Sequence, residues 1–418
     1  MTATNALIGR LARRFCRRAM TFTEPAGPIT LPPPADQPYL LYLHIPYCVT
    51  LCPFCSFHRV RFDEPAARSY HDYLRTEISR VSEQRYVFDE LYVGGGTPTV
   101  LPDELFATID LVRKTQPITS ISVETNPDDL AKESVQRLRD GGVDRLSVGV
   151  QSFDDKLLAE MQRLDKYGNG REIRERLRST TGAFQTLNVD MIFNFPHQDE
   201  ASIRRDLDIL IDDVGADQVS WYPLMPANGT RVSMQSKMGD VDYTREKDFY
   251  ELIATRFLDA GYVRNSAWCF SREPGMADEY IADRENYVGL GSGAFSYVAG
   301  SLYASTFSIP DYVDRVGAGG TGTVRRRQLG EREQMRYYLL MQLFRGWLDL
   351  DTAEARFHGH FETSLRREIT AFQFVGAIER SGRRIELTNY GFYVWVMLMR
   401  EFFTAINNLR DEMRSGAY

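Results

Sequence analysis

The segment YLLYLHIPYCVTLCPFCSF (residues 39–57) runs a β-prone stretch, YLLYLHI (39–45), directly into three cysteines spaced C-x3-C-x2-C: Cys48, Cys52 and Cys55. Three thiolates on a short loop after a strand can hold three irons of a 4Fe-4S cluster, and the missing fourth protein ligand leaves one iron open to an external molecule. Two other readings stay open on these residues alone: a Cys3His zinc set completed by His58, and three core cysteines. The other cysteines are Cys16 and Cys269, giving five in 418 residues. That is too few and too odd for a disulfide framework, and it points to a reducing, cytoplasmic compartment.

Outward from this loop, short β-rich runs alternate with helical patterns. Strands are expected at 39–45, 90–95, 120–126, 145–151, 186–195 and 218–224, with amphipathic stretches near 65–84, 102–114, 129–140, 154–164, 171–180 and 200–213. Six strands alternating with six helices imply right-handed βαβ units around a parallel sheet. The expected fold is α/β: a partial (β/α)6 TIM-like barrel over residues 39–320, with its chemistry at the C-terminal strand ends. A Gly-rich segment, YVGLGSGAFSYVAG (287–300), lies late in that span. Residues 321–418 read as helices around a hairpin, ERSGRRIELT (379–388), which is a helical, winged-helix-like domain covering the substrate cleft. Residues 1–38 form a basic segment and a Pro-rich linker.

Hydrophobic residues make up 43% and charged residues 26%, which excludes disordered and collagen-like classes. No apolar run approaches the ~18 residues of a membrane span, so no integral membrane segment is expected. Residues 1–23 carry Arg10, Arg13, Arg14, Arg17 and Arg18 and no acid, so the rest is more acidic than the net charge of −7 indicates. An acidic body argues against nucleic acid as a partner. The basic leader reads as a solvated, frayed terminus; the alternative is an amphipathic membrane-surface or targeting helix.

Further motifs follow the cysteines in order: GGGTPT (94–99), SVETNP (122–127), SVGVQSF (147–153), VDMIFNFP (189–196) and GLGSGAFS (289–296). With the cysteine loop, this set resembles the radical S-adenosylmethionine (SAM) superfamily, in its branch of oxygen-independent coproporphyrinogen III oxidases and their relatives. The resemblance covers roughly residues 39–300. It implies a 4Fe-4S cluster on Cys48, Cys52 and Cys55 that chelates SAM and cleaves it reductively, so that a 5′-deoxyadenosyl radical abstracts a substrate hydrogen. It also implies that Gly95, Gly96 and Thr97 face the methionyl group, and that Tyr42, Phe54, Glu124, Gln151, Arg163, Asp190 and Phe295 surround the cofactor. Tyr42 and His197 are the candidate catalytic residues, His197 as a proton donor at a strand end. A reducing partner such as flavodoxin or ferredoxin is implied as well.

The chain departs from the family in several places, among them the element after Arg163, here RLDKYGNG (163–170), where the family carries a histidine. The oxidases carry a fourth cysteine where this chain has Phe57, and their heme-carrying relatives carry an H-N-x-x-Y-W motif where it has NSAWCFSREPG (265–275). Near Phe195-Pro196, a glycine usual in the family is replaced by Asn194. These departures leave the methyltransferase-type members as the expected match. Such an enzyme binds a second SAM and methylates an sp2 carbon of a tetrapyrrole or an aromatic natural-product scaffold. Coproporphyrinogen III oxidation by propionate decarboxylation, and heme binding and delivery, are the alternatives. Cys269 reads as a core residue or a substrate-side thiol, and His44 as support for the cluster. His58, His71, His358 and His360 read as structural or solvated.

Overall fold

The computed structural model describes residues 3–22, 27, 29–276 and 284–415. Strands β1 (Tyr39–Ile45), β2 (Phe88–Gly95), β3 (Ser120–Thr125), β4 (Arg145–Gln151), β5 (Thr186–Phe193) and β6 (Gln218–Pro223) pair side by side in that order. Every ladder among them is parallel. β1 is buried along its whole length, as its unbroken apolar run requires of a strand covered on both faces. Returning helices include Glu64–Glu83, Pro102–Thr115, Lys132–Asp140, Gly170–Thr180 and Glu200–Asp208. Their starts follow local chemistry: Asp63 accepts from the Ala66 N–H at 3.0 Å, and Asn169 and Glu172 form a reciprocal capping box.

The parallel set extends beyond the six expected strands. The Gly-rich segment contributes a seventh, Tyr287–Leu290, which pairs in parallel with the free side of β1. Taken with β7 (Cys269–Ser271) and β8 (Tyr287–Leu290), the chain then runs through β9 (Phe295–Val298), β10 (Ser301–Ser305) and β11 (Thr323–Gln328) as an antiparallel extension of β8. On the other side, β7 pairs antiparallel with β6. The two edges of this sheet do not meet, so the barrel is partial.

Downstream lie the helices Glu331–Phe344, Leu350–Arg356, Arg366–Phe374 and Asn389–Ser415. The expected hairpin, Ile378–Ser381 with Arg384–Leu387, gains a third strand, Trp347–Asp349. The long last helix is anchored to the barrel helix Glu246–Asp259 by a buried ion pair between Arg400 and Glu246. Its Asn407 reaches the cysteine loop and donates to Ser56 Oγ at 3.1 Å.

The basic leader is not a frayed terminus. Residues Ala3–Ala19 form a helix packed on the last helix. Asn5, Gly9, Ala12 and Cys16 bury one stripe at helical spacing, while Arg10, Arg13, Arg14 and Arg17 face outward. Arg13 pairs with Glu401 at 3.2 Å, and Tyr390 donates to Asn5 Oδ1 at 2.5 Å. The buried stripe of this helix is thus occupied by the last helix. Among the described residues no helix is long and apolar enough to cross a membrane.

Candidate active site

The cysteine loop is held shut at its base. Tyr47 and Cys48 pair in parallel with Val60 and Arg61, and backbone bonds join Val60 N to Pro46 O (2.7 Å) and Phe62 N to Cys48 O (2.8 Å). Inside the loop, the Arg59 guanidinium donates to the carbonyls of Cys52 and Cys55, the latter at 2.8 Å. These bonds fix the loop backbone while the three thiols stay free of disulfides.

Two of the three sulfurs meet donors rather than acids. Thr97 Oγ1 lies 3.5 Å from Cys48 Sγ, and Arg163 Nη1 lies 3.6 Å from Cys52 Sγ. Burial pushes the Cys48 thiol up to about 11, so a thiolate there needs a nearby cation. His58 Nε2 meets Ser292 Oγ at 3.0 Å, while its Nδ1 is buried without a partner. Donors on the sulfurs and a missing fourth protein ligand fit an iron–sulfur cluster with one open iron.

The glycines after β2 permit the close approach of that strand end to the loop. At Gly95 φ is +122°, and a Cβ would stand 2.9 Å from Ile45 O; at Gly96 a Cβ would stand 2.7 Å from Tyr47 O. Glu124, at the end of β3, accepts from the Gly95 N–H at 3.0 Å and from the Tyr92 hydroxyl at 3.1 Å. Burial raises its pKa against the pull of those two donors.

Arg163 is buried and has no carboxylate partner among the described residues. Its Nη2 donates to Gly149 O at 2.5 Å and Asn126 Oδ1 at 3.2 Å, its guanidinium lies 4.1 Å from the Tyr167 ring centroid, and its buried Nε has no partner. An unpaired buried cation beside a cysteine sulfur calls for an anion. Asn126 in turn donates to Thr97 Oγ1 at 2.9 Å, linking three strand ends. At Gln151 the ladder shifts register and φ is +76°, so a bulge re-aims this side chain at the end of β4. Asp190 accepts from Ser147 at 2.7 Å and Asn188 at 2.8 Å, and burial, reinforced by Glu124, raises its pKa to about 7.

A directional chain runs through Tyr42 and His44. His44 Nε2 lies 2.9 Å from His58 O, and a carbonyl can only accept, so Nε2 carries the proton. Nδ1 is then the acceptor, and Tyr42, 2.9 Å away, donates its hydroxyl proton to it. Burial lowers His44 to about 4, which keeps the ring neutral in this role. Phe54 packs edge-on to Phe195, and Phe295 meets Phe307 and, from the N-terminal segment, Phe22.

His197 stands apart from this group. It is half exposed on the loop after β5, and its Nδ1 pairs with Glu160 at 2.9 Å. Cys269 is fully buried on β7, with Ser220 Oγ at 3.8 Å, and belongs to the core. Arg59 and Asn126 went unnoticed in the sequence. Arg59 has no local signature, whereas Asn126 sits inside the SVETNP motif and was passed over for its neighbour Glu124.

The Radical SAM superfamily model matches residues 42–210. The heme chaperone HemW of Bacillus subtilis is 26% identical over 292 residues, covering 67% of this chain and 76% of the relative. The oxygen-independent coproporphyrinogen III oxidase of Bradyrhizobium diazoefficiens is 28% identical over 330 residues, covering 72% of each. The solved coproporphyrinogen III oxidase (HemN) of Escherichia coli superposes with a TM-score of 0.75 at 21% identity, over 88% of this chain and 90% of that one, which establishes the fold. Members of the superfamily bind a 4Fe-4S cluster and SAM.

Proposed function

We propose, from the premise that this chain carries a radical SAM domain with HemW-like and coproporphyrinogen oxidase-like homologues, that it cleaves SAM reductively and acts on a tetrapyrrole, removing a propionate carboxyl group. The tetrapyrrole rests on one observation: the relatives described above are named for heme or for coproporphyrinogen.

The methyl-transfer reading rested on Phe57 and on residues 265–275. Phe57 is 60% exposed, so the residue at this position points to solvent rather than into the barrel. In the second stretch, Trp268 is buried against Phe344, Phe403 and Tyr222, and Ala267 N bonds Phe344 O at 2.9 Å. That segment packs the C-terminal region onto the barrel. Neither departure alters the strand-end site, so neither weighs against decarboxylation. Methyl transfer to an sp2 carbon, with a second SAM, is the lesser reading.

Cys48, Cys52 and Cys55 would hold the cluster. Bound there, the cluster and SAM supply one-electron cleavage of a sulfonium and hydrogen-atom abstraction. Arg163 would receive the methionyl carboxylate and Glu124 the ammonium. Gln151 would orient the ribose, and Phe54 and Phe295 would line the apolar walls. Tyr42 keeps its proton on His44 and offers lone pairs, while Asp190 can hold or release a proton near neutrality. Residues 321–418 would cover the cleft, and a flavodoxin or ferredoxin in the cytoplasm would supply electrons.

Anaerobically reconstituted protein given reductant, SAM and coproporphyrinogen III is expected to release 5′-deoxyadenosine and carbon dioxide together. S-adenosylhomocysteine in place of carbon dioxide would select methyl transfer. The HemW relative motivates a second reading, heme handling without turnover. Tight hemin binding with no SAM cleavage would select it.

A further inference from the structure

A groove of about 700 Å³ opens beside the cysteine loop, outside the barrel mouth. Tyr47 and Val60 from the base of the loop, Phe307, Ile309 and Pro310 after β10, and Met413 from the last helix give it an apolar wall. Its polar lining is cationic: Arg61, Arg315, Arg325 and Arg414 stand against Asp63 and Asp311. Both acids are already engaged, because Asp63 caps its helix through the Ala66 N–H and Asp311 pairs with Arg315 at 2.8 Å. Arg61 and Arg414 have no hydrogen-bond or ion-pair partner among the described residues.

The crowding behind the groove adds to this excess. Partial burial and Arg410 lower the Arg414 pKa below the ordinary guanidinium value, against the opposing pull of Asp411. Arg410 itself is buried and paired with Asp411 at 2.7 Å, with Nη1 left over. Arg61 and Arg414 thus present two cations with no paired acid to one side of the groove, an arrangement that suits an anionic ligand. The opposite wall is flat and apolar, and a volume of this size suits a single small molecule.

We propose that this groove binds the carboxylates of a tetrapyrrole through Arg61 and Arg414, with the macrocycle against Tyr47, Phe307 and Met413, as a station beside the barrel mouth. The proposal rests on the tetrapyrrole reading given above. A nucleotide would share the pairing of ring and anion, so the test carries both ligands. Metal-free protoporphyrin IX is titrated into the full reconstituted chain by fluorescence, with ADP in a parallel arm. Arg61→Glu/Arg414→Glu is expected to weaken porphyrin binding about tenfold or more, while the paired Arg→Lys variant retains most of it. Cluster content should not change in either variant, because Arg61 closes the cysteine loop through its backbone and not its side chain. Porphyrin binding that is equal in wild type and the Glu variant would overturn the groove while leaving the tetrapyrrole reading in place. No porphyrin binding by the wild type would overturn both. Arginine-dependent ADP binding without porphyrin binding would overturn the choice of ligand.

Discussion

Two loops leave the C-terminal ends of parallel strands, 46–62 after β1 and 194–200 after β5, and both are rigid. The first is closed by its own short ladder and by Arg59. The second is gripped by Arg245, which donates to the carbonyls of Phe195, Pro196 and Gln198 at 2.5–2.7 Å. Yet the first gathers Thr97, Arg163 and His44 from other elements onto buried groups, whereas the second presents His197 to solvent with Glu160 as its partner. A strand-end position and a stiff backbone are common to both. What marks the site is convergence: buried donors from several strands aimed at atoms that the protein itself leaves uncompensated.

If this contrast is sound, Arg163→Met should lower the rate of 5′-deoxyadenosine formation about 10- to 100-fold, the worth of a lost charge-assisted bond, with the cluster still assembled. A loss below threefold at saturating reductant would break the contrast. His197→Ala should change the rate by less than about twofold, since its half-exposed ring, on the loop after β5, contacts Glu160 and none of the strand-end groups, and thermal unfolding of that variant should follow wild type closely.

The pH axis sharpens the comparison, because burial raises the carboxyls of Asp190 and Asp206 to about 7. An acid whose folded pKa exceeds its unfolded one near 3.8 binds more protons when folded, so stability falls as pH rises from about 4 to 7. Asp206 accepts from the Phe153 N–H at 3.0 Å and the Ser152 hydroxyl at 2.9 Å, and an asparagine oxygen and amide can serve both. Asp206→Asn should therefore match wild type near pH 4 and exceed it by about 1–2 kcal/mol at pH 8 in denaturant unfolding. Equal stability at both pH values would show that this carboxylate carries no burial penalty.

Most barrel strands were legible because each is an apolar run bounded by turn residues, and their ends fall within about two residues of expectation. The seventh parallel strand was hidden, since YVGL in a Gly-rich stretch lacks the pattern of a strand. It becomes one only when β1 offers its free side. The cysteines, Glu124 and Arg163 were legible through motifs. Asn194 was seen only as a departure, but its φ of +71° explains it: the position needs left-handed backbone, and asparagine is the non-glycine residue that accepts this most readily. The docking of the leader helix and the role of Arg59 depend on tertiary neighbours, and no periodicity reports those.

Everything proposed above depends on Cys48, Cys52 and Cys55 holding an iron–sulfur cluster that cleaves SAM. Iron, sulfide and 5′-deoxyadenosine measured together on anaerobically reconstituted wild type and Cys48→Ala decide it. About one 4Fe-4S cluster per wild-type chain with SAM cleavage on reduction is expected, and loss of both in the variant. Wild type lacking labile sulfide, or Cys48→Ala retaining cluster and cleavage, would contradict it.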